Sequence, residues 1–155
     1  MPAGSGPRVK TLLDPVCHAR VLARLRELSP EAPARWGRLS APRMLVHLSD
    51  QVRSMLGDIQ VAPIPGVLRW PLVKQAAMYW LPWPKETIKG PPEMFLTPPG
   101  AWNADLATFE VLLDRFVHDT RTAWPDHPFF GAMTHRSWGR FSHRHIDYHL
   151  RQFGA

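Results

Sequence analysis

Cysteine is almost missing from this chain. Its single thiol, Cys17, excludes an internal disulfide and suits a reducing compartment. No histidine stands with Cys17 in a recognisable nucleophile motif, so it reads as a small hydrophobe rather than a catalytic thiol. Apolar runs of membrane-spanning length are also lacking. The opening Met1-Pro2-Ala3-Gly4-Ser5-Gly6-Pro7 has no apolar core of the kind a secretory signal needs. A soluble, cytoplasmic protein without a membrane partner is therefore expected. No segment alternates like a strand, and no internal repeat is visible. The formal charge is +6 and the pI about 10.2, yet there is no dense basic run. Scattered arginines fit solvated helix faces better than a nucleic-acid patch, so nucleic acid ranks last among partners.

Proline, by contrast, is abundant, with 17 in 155 residues. It breaks helix interiors but is accepted in a first turn, so proline-free windows mark the helices. Asp14-Pro15 offers an N-cap and a first helical residue. Leu22, Leu25 and Leu28 supply that helix's apolar stripe, and Pro30 and Pro33 end it. A second helix is expected from Ser40, with Pro42 in its first turn. Met44, Leu45, Leu48, Val52, Met55 and Leu56 recur along it at helical spacing, and Gly57 suits its C-terminal cap. Leu68 to Leu81 reads as a shorter, tryptophan-rich helical segment. From Pro82 to Gly100 the prolines enforce a long irregular loop, of a length that usually serves a function. A fourth helix from near Asn103 aligns Leu106, Phe109, Leu113 and Phe116. The last runs from a Thr134 cap to Phe153 and is closed by Gly154. The chain thus reads as all-α, most simply a bundle, in one domain over 14–155 behind a flexible segment over 1–13. At 45% hydrophobic residues it has enough apolar content for a real core.

The chain has 8 histidines, and helical phase separates them. Trp138, Phe141, His149 and Gln152 all fall within about 40° of His145, whereas His143 and Asp147 fall about 160° away. His145 and His149, one turn apart, therefore face the interior; His143 is expected to face solvent, and Asp147 lies on the wrong face to act as a base at the site. On the second helix His47 lies at the edge of the apolar stripe with Gln51 and Ser54, a position suited to the rim of a crevice. Two imidazoles one turn apart grip a single transition-metal ion. A third from another helix leaves room for water or substrate. The HxxxH spacing lacks the glutamate of HExxH, however, and hydrogen-bonded packing histidines share it. Spacing alone leaves both readings open. His18, His118, His127 and His135 have no partner at ligand spacing and read as surface or capping residues.

Four segments carry a family resemblance. They are Arg35-Trp36-Gly37-Arg38-Leu39-Ser40 leading into Met44-Leu45-Val46-His47-Leu48; Leu81-Pro82-Trp83-Pro84-Lys85; His127-Pro128-Phe129-Phe130-Gly131; and Trp138-Gly139-Arg140 continuing through His145-Ile146-Asp147-Tyr148-His149 to Gly154. In these the chain resembles the DinB/YfiT-like superfamily of metal-binding helical bundles, in particular a subfamily of domains of unknown function. The resemblance implies a four-helix bundle of DinB/YfiT type, here with an extra tryptophan-rich helical segment and a long proline-rich loop. It also implies a metal site made by one histidine of the second helix and an HxxxH pair of the last, which are His47, His145 and His149. Members bind a divalent transition metal such as zinc, nickel, manganese or iron. Those with known chemistry include transferases and isomerases that use a low-molecular-weight thiol, and others have been proposed as hydrolases. The superfamily supplies a site and not a substrate.

The expected function is accordingly that of a metal-dependent enzyme acting on a small-molecule substrate, either a thiol-dependent transferase or isomerase, or a hydrolase. Asp50, Gln51 and Gln152 are the nearest candidates to orient the imidazoles. Trp83, Arg144 and Arg151 are candidates to meet the substrate, although exposed arginines more simply make surface ion pairs. Trp70 and Trp80 are expected in the core. A membrane-surface role for Val67 to Lys85 is weakened by its few basic residues. The alternative is a non-catalytic binding module with a structural metal or none. A homodimer accords with the superfamily, though nothing in this chain argues for it.

Overall fold

The computed structural model describes residues 9–85 and 89–155. Its helices are α1 (Pro15–Glu27), α2 (Ala41–Leu56), α3 (Pro71–Gln75), α4 (Trp102–His118) and α5 (His135–Gln152). Among the described residues the only β feature is an isolated antiparallel bridge between His127 and Gly131. The all-α expectation holds, and among the described residues no helix is long and apolar enough to cross a membrane.

Each long helix begins where local chemistry satisfies its free N–H groups. The Asp14 carboxylate accepts from the N–H of Val16 at 2.9 Å and of Cys17 at 3.0 Å, and Pro15 opens α1. Ser40 caps α2, which ends at Gly57 in the left-handed region (φ 84°). Thr134 and Ser137 form a reciprocal capping box at the start of α5.

α2 is the central element. It packs against α4, α5 and a 3₁₀ turn, Pro92–Phe95, in the proline-rich loop. Burial therefore extends round its circumference: Ser49, Asp50, Gln51 and Ser54 are as enclosed as Leu48 and Val52. His47, expected at a rim, is buried with them.

α5 is likewise covered on two sides, because α1 lies on the face opposite α2. This corrects the expected exposure of His143. His143 is buried, and Asp147 accepts from Arg24 of α1 at 2.6 Å and pairs with Arg151 at 3.1 Å. Within the stretch 1–13, expected to be flexible, Leu12 is fully buried and its N–H donates to the Gly139 carbonyl at 3.1 Å. A Cβ at Gly139 would lie 2.7 Å from Thr11 Oγ1, so glycine permits this docking. Residues 1–8 lie outside the described residues.

The tryptophan-rich segment departs most from expectation. Pro71–Gln75 continues as a π-helical turn, Ala76–Trp80, in which the Leu81 N–H reaches back to the Ala76 carbonyl at 2.8 Å. Only Met78 of this stretch is buried. Trp70 and Trp80, expected in the core, are 62% and 73% exposed.

His127, read as a surface or capping residue, is buried in a tight turn and caps it. Its Nδ1 accepts from the N–H of Phe129 at 3.1 Å and of Phe130 at 3.3 Å. Nδ1 must stay bare for both bonds, and burial pushes the ring's pKa down from 6.5 to about 3. Folding lowers this pKa, so the unfolded chain takes up the proton first. The ring's contribution to stability is complete above about pH 6.5 and is lost as pH falls toward 3. Within that window it costs roughly 1 kcal/mol per pH unit. Asn at position 127 would offer a similar acceptor without a titrating ring. His127→Asn is expected to lower proton uptake on unfolding near pH 5 by about one proton, as measured by the slope of denaturant stability against pH.

Candidate metal centre

The antiparallel approach of α2 and α5 brings His47 to His145 and His149. Ring centroids are 5.2 Å apart for His47–His145, 5.1 Å for His47–His149 and 4.8 Å for His145–His149. One ring nitrogen from each lies within 4.8 Å of the others, and the group could hold a metal ion. His47 Nε2 and His145 Nε2 are 3.4 Å apart. Nitrogens about 2.1 Å from a tetrahedral ion would stand about 3.4 Å from one another.

Two of the rings have their tautomers dictated by their neighbours. His47 Nδ1 lies 2.9 Å from the Met94 carbonyl. That oxygen only accepts, so Nδ1 carries the proton and Nε2 presents its lone pair. For His149 the argument has one more step. The Gln152 Nε2 donates to the Trp36 carbonyl at 2.8 Å, which turns Oε1 toward His149 Nδ1, also at 2.8 Å. Nδ1 of His149 must then donate, and its Nε2 is bare. Gly37 makes room for that amide: it has φ 77°, and a Cβ there would lie 2.7 Å from Gln152 Nε2.

Electrostatics keep the rings neutral. Burial, then the neighbouring His47, pushes the His149 pKa down to about 3, against the opposing hydrogen bond of Gln152. Burial also lowers His47, against the Met94 carbonyl and Asp50. His145 is held well below its ordinary value by burial and by His149, His47 and His127. Its residue reaches solvent in part, but its Nδ1 is buried and meets no protein partner. Neutral, convergent imidazoles are the form a divalent cation requires.

The other expected site residues divide sharply. Gln152 bonds to His149. Asp50 bonds to none of the three rings: it accepts from the Thr97 N–H at 3.0 Å, the Thr97 hydroxyl, and Arg53 at 2.9 Å. It thereby ties to α2 the loop that carries Met94. Gln51 donates toward Ser142 Oγ at 3.4 Å, and its Oε1 is buried without a protein partner. Trp83 lies 6.2 Å from the His145 ring and forms part of the wall. Arg144, stacked over Trp83 at 4.7 Å, directs its donors to the carbonyls of Ala77, Met78 and Leu81. Arg151 points away and pairs with Asp147.

Helical phase did not reveal three further contributors. Phe95 stacks on His47 at 4.4 Å, nearly parallel. Tyr148 lies edge-on to His149 at 5.2 Å, and its hydroxyl accepts from Trp36 Nε1 and donates to the Pro84 carbonyl, both at 3.2 Å. Met94 acts through its backbone. Only the unusual length of the proline-rich loop hinted at Met94 and Phe95.

The fold and site together define an all-helical domain with a buried cluster of three neutral histidines. The family model described as "Protein of unknown function (DUF1569)" matches residues 17–155, and the chain belongs to that family. No curated protein and no solved structure matches it.

Gln152→Leu removes the acceptor at His149 Nδ1 while keeping much of the side-chain volume. Nitrogen NMR of the histidine rings is expected to show the proton of His149 fixed on Nδ1 in the parent and shared between the two nitrogens in the variant. Affinity for zinc should fall about tenfold or more, the usual effect of losing such a partner.

Proposed function

We propose that the chain is a four-helix bundle of DinB/YfiT type that binds one divalent transition metal through His47, His145 and His149. It would serve as a metal-dependent enzyme for a small-molecule substrate, either a thiol-dependent transferase or isomerase, or a hydrolase. The observation that carries this reading is the forced orientation of two buried rings. The Met94 carbonyl and the Gln152 amide oxygen each claim an Nδ1 proton, which leaves two lone pairs directed to a shared point beside a third imidazole. An imidazole donor set suits zinc, nickel or iron.

Three neutral ligands leave a dication its full charge and an open position, where it would lower the pKa of a bound water or thiol. The chain's own residues would orient the ligands and exclude bulk water. Phe95 covers the His47 ring, and Trp83 and Tyr148 line the side toward His145 and His149. The near-complete burial of His47 and His149 favours a second reading, a binding module in which the ion is structural.

Metal analysis of untagged protein tests the assignment. About one equivalent is expected, with His47→Ala, His145→Ala and His149→Ala each weakening binding by at least about a hundredfold, beyond the usual effect of an outer partner. Helicity by circular dichroism should be largely retained. Equal metal binding in parent and variants would remove the site. Cobalt substitution then separates the two readings. Under the enzyme reading, an added low-molecular-weight thiol shifts the visible cobalt bands; an unchanged spectrum selects the structural ion.

A further inference from the structure

The segment Val67 to Leu81 projects an unusual amount of apolar surface. Val67 is 55%, Trp70 62%, Leu72 83%, Trp80 73% and Leu81 56% exposed. Scattered exposed leucines are ordinary, but large apolar side chains gathered on one short arm mark a surface that meets something. The arm is firmly attached. Trp83 Nε1 donates to the Ala77 carbonyl at 2.7 Å, and Arg144 donates to the Ala77, Met78 and Leu81 carbonyls. The exposed rings therefore stand on an anchored base.

The surrounding charge is predominantly positive. No aspartate or glutamate occurs between Ile59 and Lys85. Arg69 and Lys74 belong to the arm and direct their donors to the carbonyls of Ile64, Pro128 and Ala132, which are uncharged acceptors. The fold adds arginines from α5 that are remote in sequence. Arg140 lies 3.8 Å over the Tyr79 ring, Arg144 lies over Trp83, and Arg136 is near enough to act on the Tyr79 hydroxyl. Lys85 stands over Trp36. None of these six cations forms an ion pair with a carboxylate among the described residues; Asp126 acts on Lys74 only from a distance.

We propose that this arm docks the protein on an anionic phospholipid surface, with Trp70, Leu72, Trp80 and Leu81 entering the interface and the ring of cations meeting the headgroups. Tryptophan prefers the boundary between headgroups and acyl chains. Nearby lysine and arginine add attraction to anionic lipid, each worth about fivefold in affinity. The sequence of the arm alone carries too few basic residues for such a role; the packing of α5 supplies the remainder. A second copy of the chain fits less well, because a two-fold contact through this patch would bring the same unpaired cations together. The proposal is independent of the metal centre.

Co-sedimentation with vesicles tests it. Binding is expected to phosphatidylcholine vesicles containing about a third phosphatidylglycerol, and to weaken steeply above about 0.1 M salt, with little binding to phosphatidylcholine alone. Trp70→Ala combined with Trp80→Ala should reduce partitioning about tenfold or more, and Lys85→Glu by a similar factor. Circular dichroism should show unchanged helicity in both. Absence of binding to the anionic vesicles would overturn the proposal, as would binding that the tryptophan substitutions leave intact. A dimer seen by sedimentation and abolished by those substitutions would assign the patch to a second copy instead. Binding to polyglutamate without binding to vesicles would assign it to an acidic protein.

Discussion

Two oxygen atoms that accept and never donate set the character of the interior. The Met94 carbonyl and the Gln152 amide oxygen each take the Nδ1 proton of a buried imidazole, so His47 and His149 both turn a bare nitrogen toward the same region. In an apolar interior an unsatisfied acceptor is costly, and lone pairs facing one another add repulsion. The surrounding structure holds this arrangement through several independent ties. Gly37 admits the Gln152 amide, the Trp36 carbonyl orients it, and Asp50 fastens the loop that presents Met94. A polar network this closely accounted for limits the rotations open to each ring.

The same ties explain why a helix as polar as α2 can be central. Of its buried polar side chains, Ser49 bonds the Leu45 carbonyl, Asp50 bonds Thr97 and Arg53, and Gln51 bonds Ser142. The proline-rich loop serves as the third wall around α2 rather than as a linker. Its 3₁₀ turn supplies both the backbone acceptor and the Phe95 ring that covers His47.

Much of this was legible in the residues. Asp14-Pro15, Ser40 with Pro42, Gly57 and Thr134 marked helix ends because caps and prolines act locally. The juxtaposition of His145 and His149 followed from their spacing alone. The failures share one cause, which is that phase on a single helix does not say how many neighbours surround it. The larger apolar residues on the opposite face of α5 point to solvent exposure for His143, yet α1 covers it. Hydrophobicity points Trp70 and Trp80 to the core, but their segment passes through a π-helical turn and leaves both exposed. Asp50, near in phase to His47, instead serves the loop, whose path no periodic pattern records.

The His47–His145 contact joins positions 98 residues apart. Closing so large a loop is entropically expensive and is recovered only once many other contacts have formed. The cluster therefore belongs among the last features to assemble in a refolding chain. An intermediate with α1 and α2 already helical would present His47 alone, with too few donors to capture an ion tightly. Three convergent ring nitrogens thus exist only once the final helix has docked against α2.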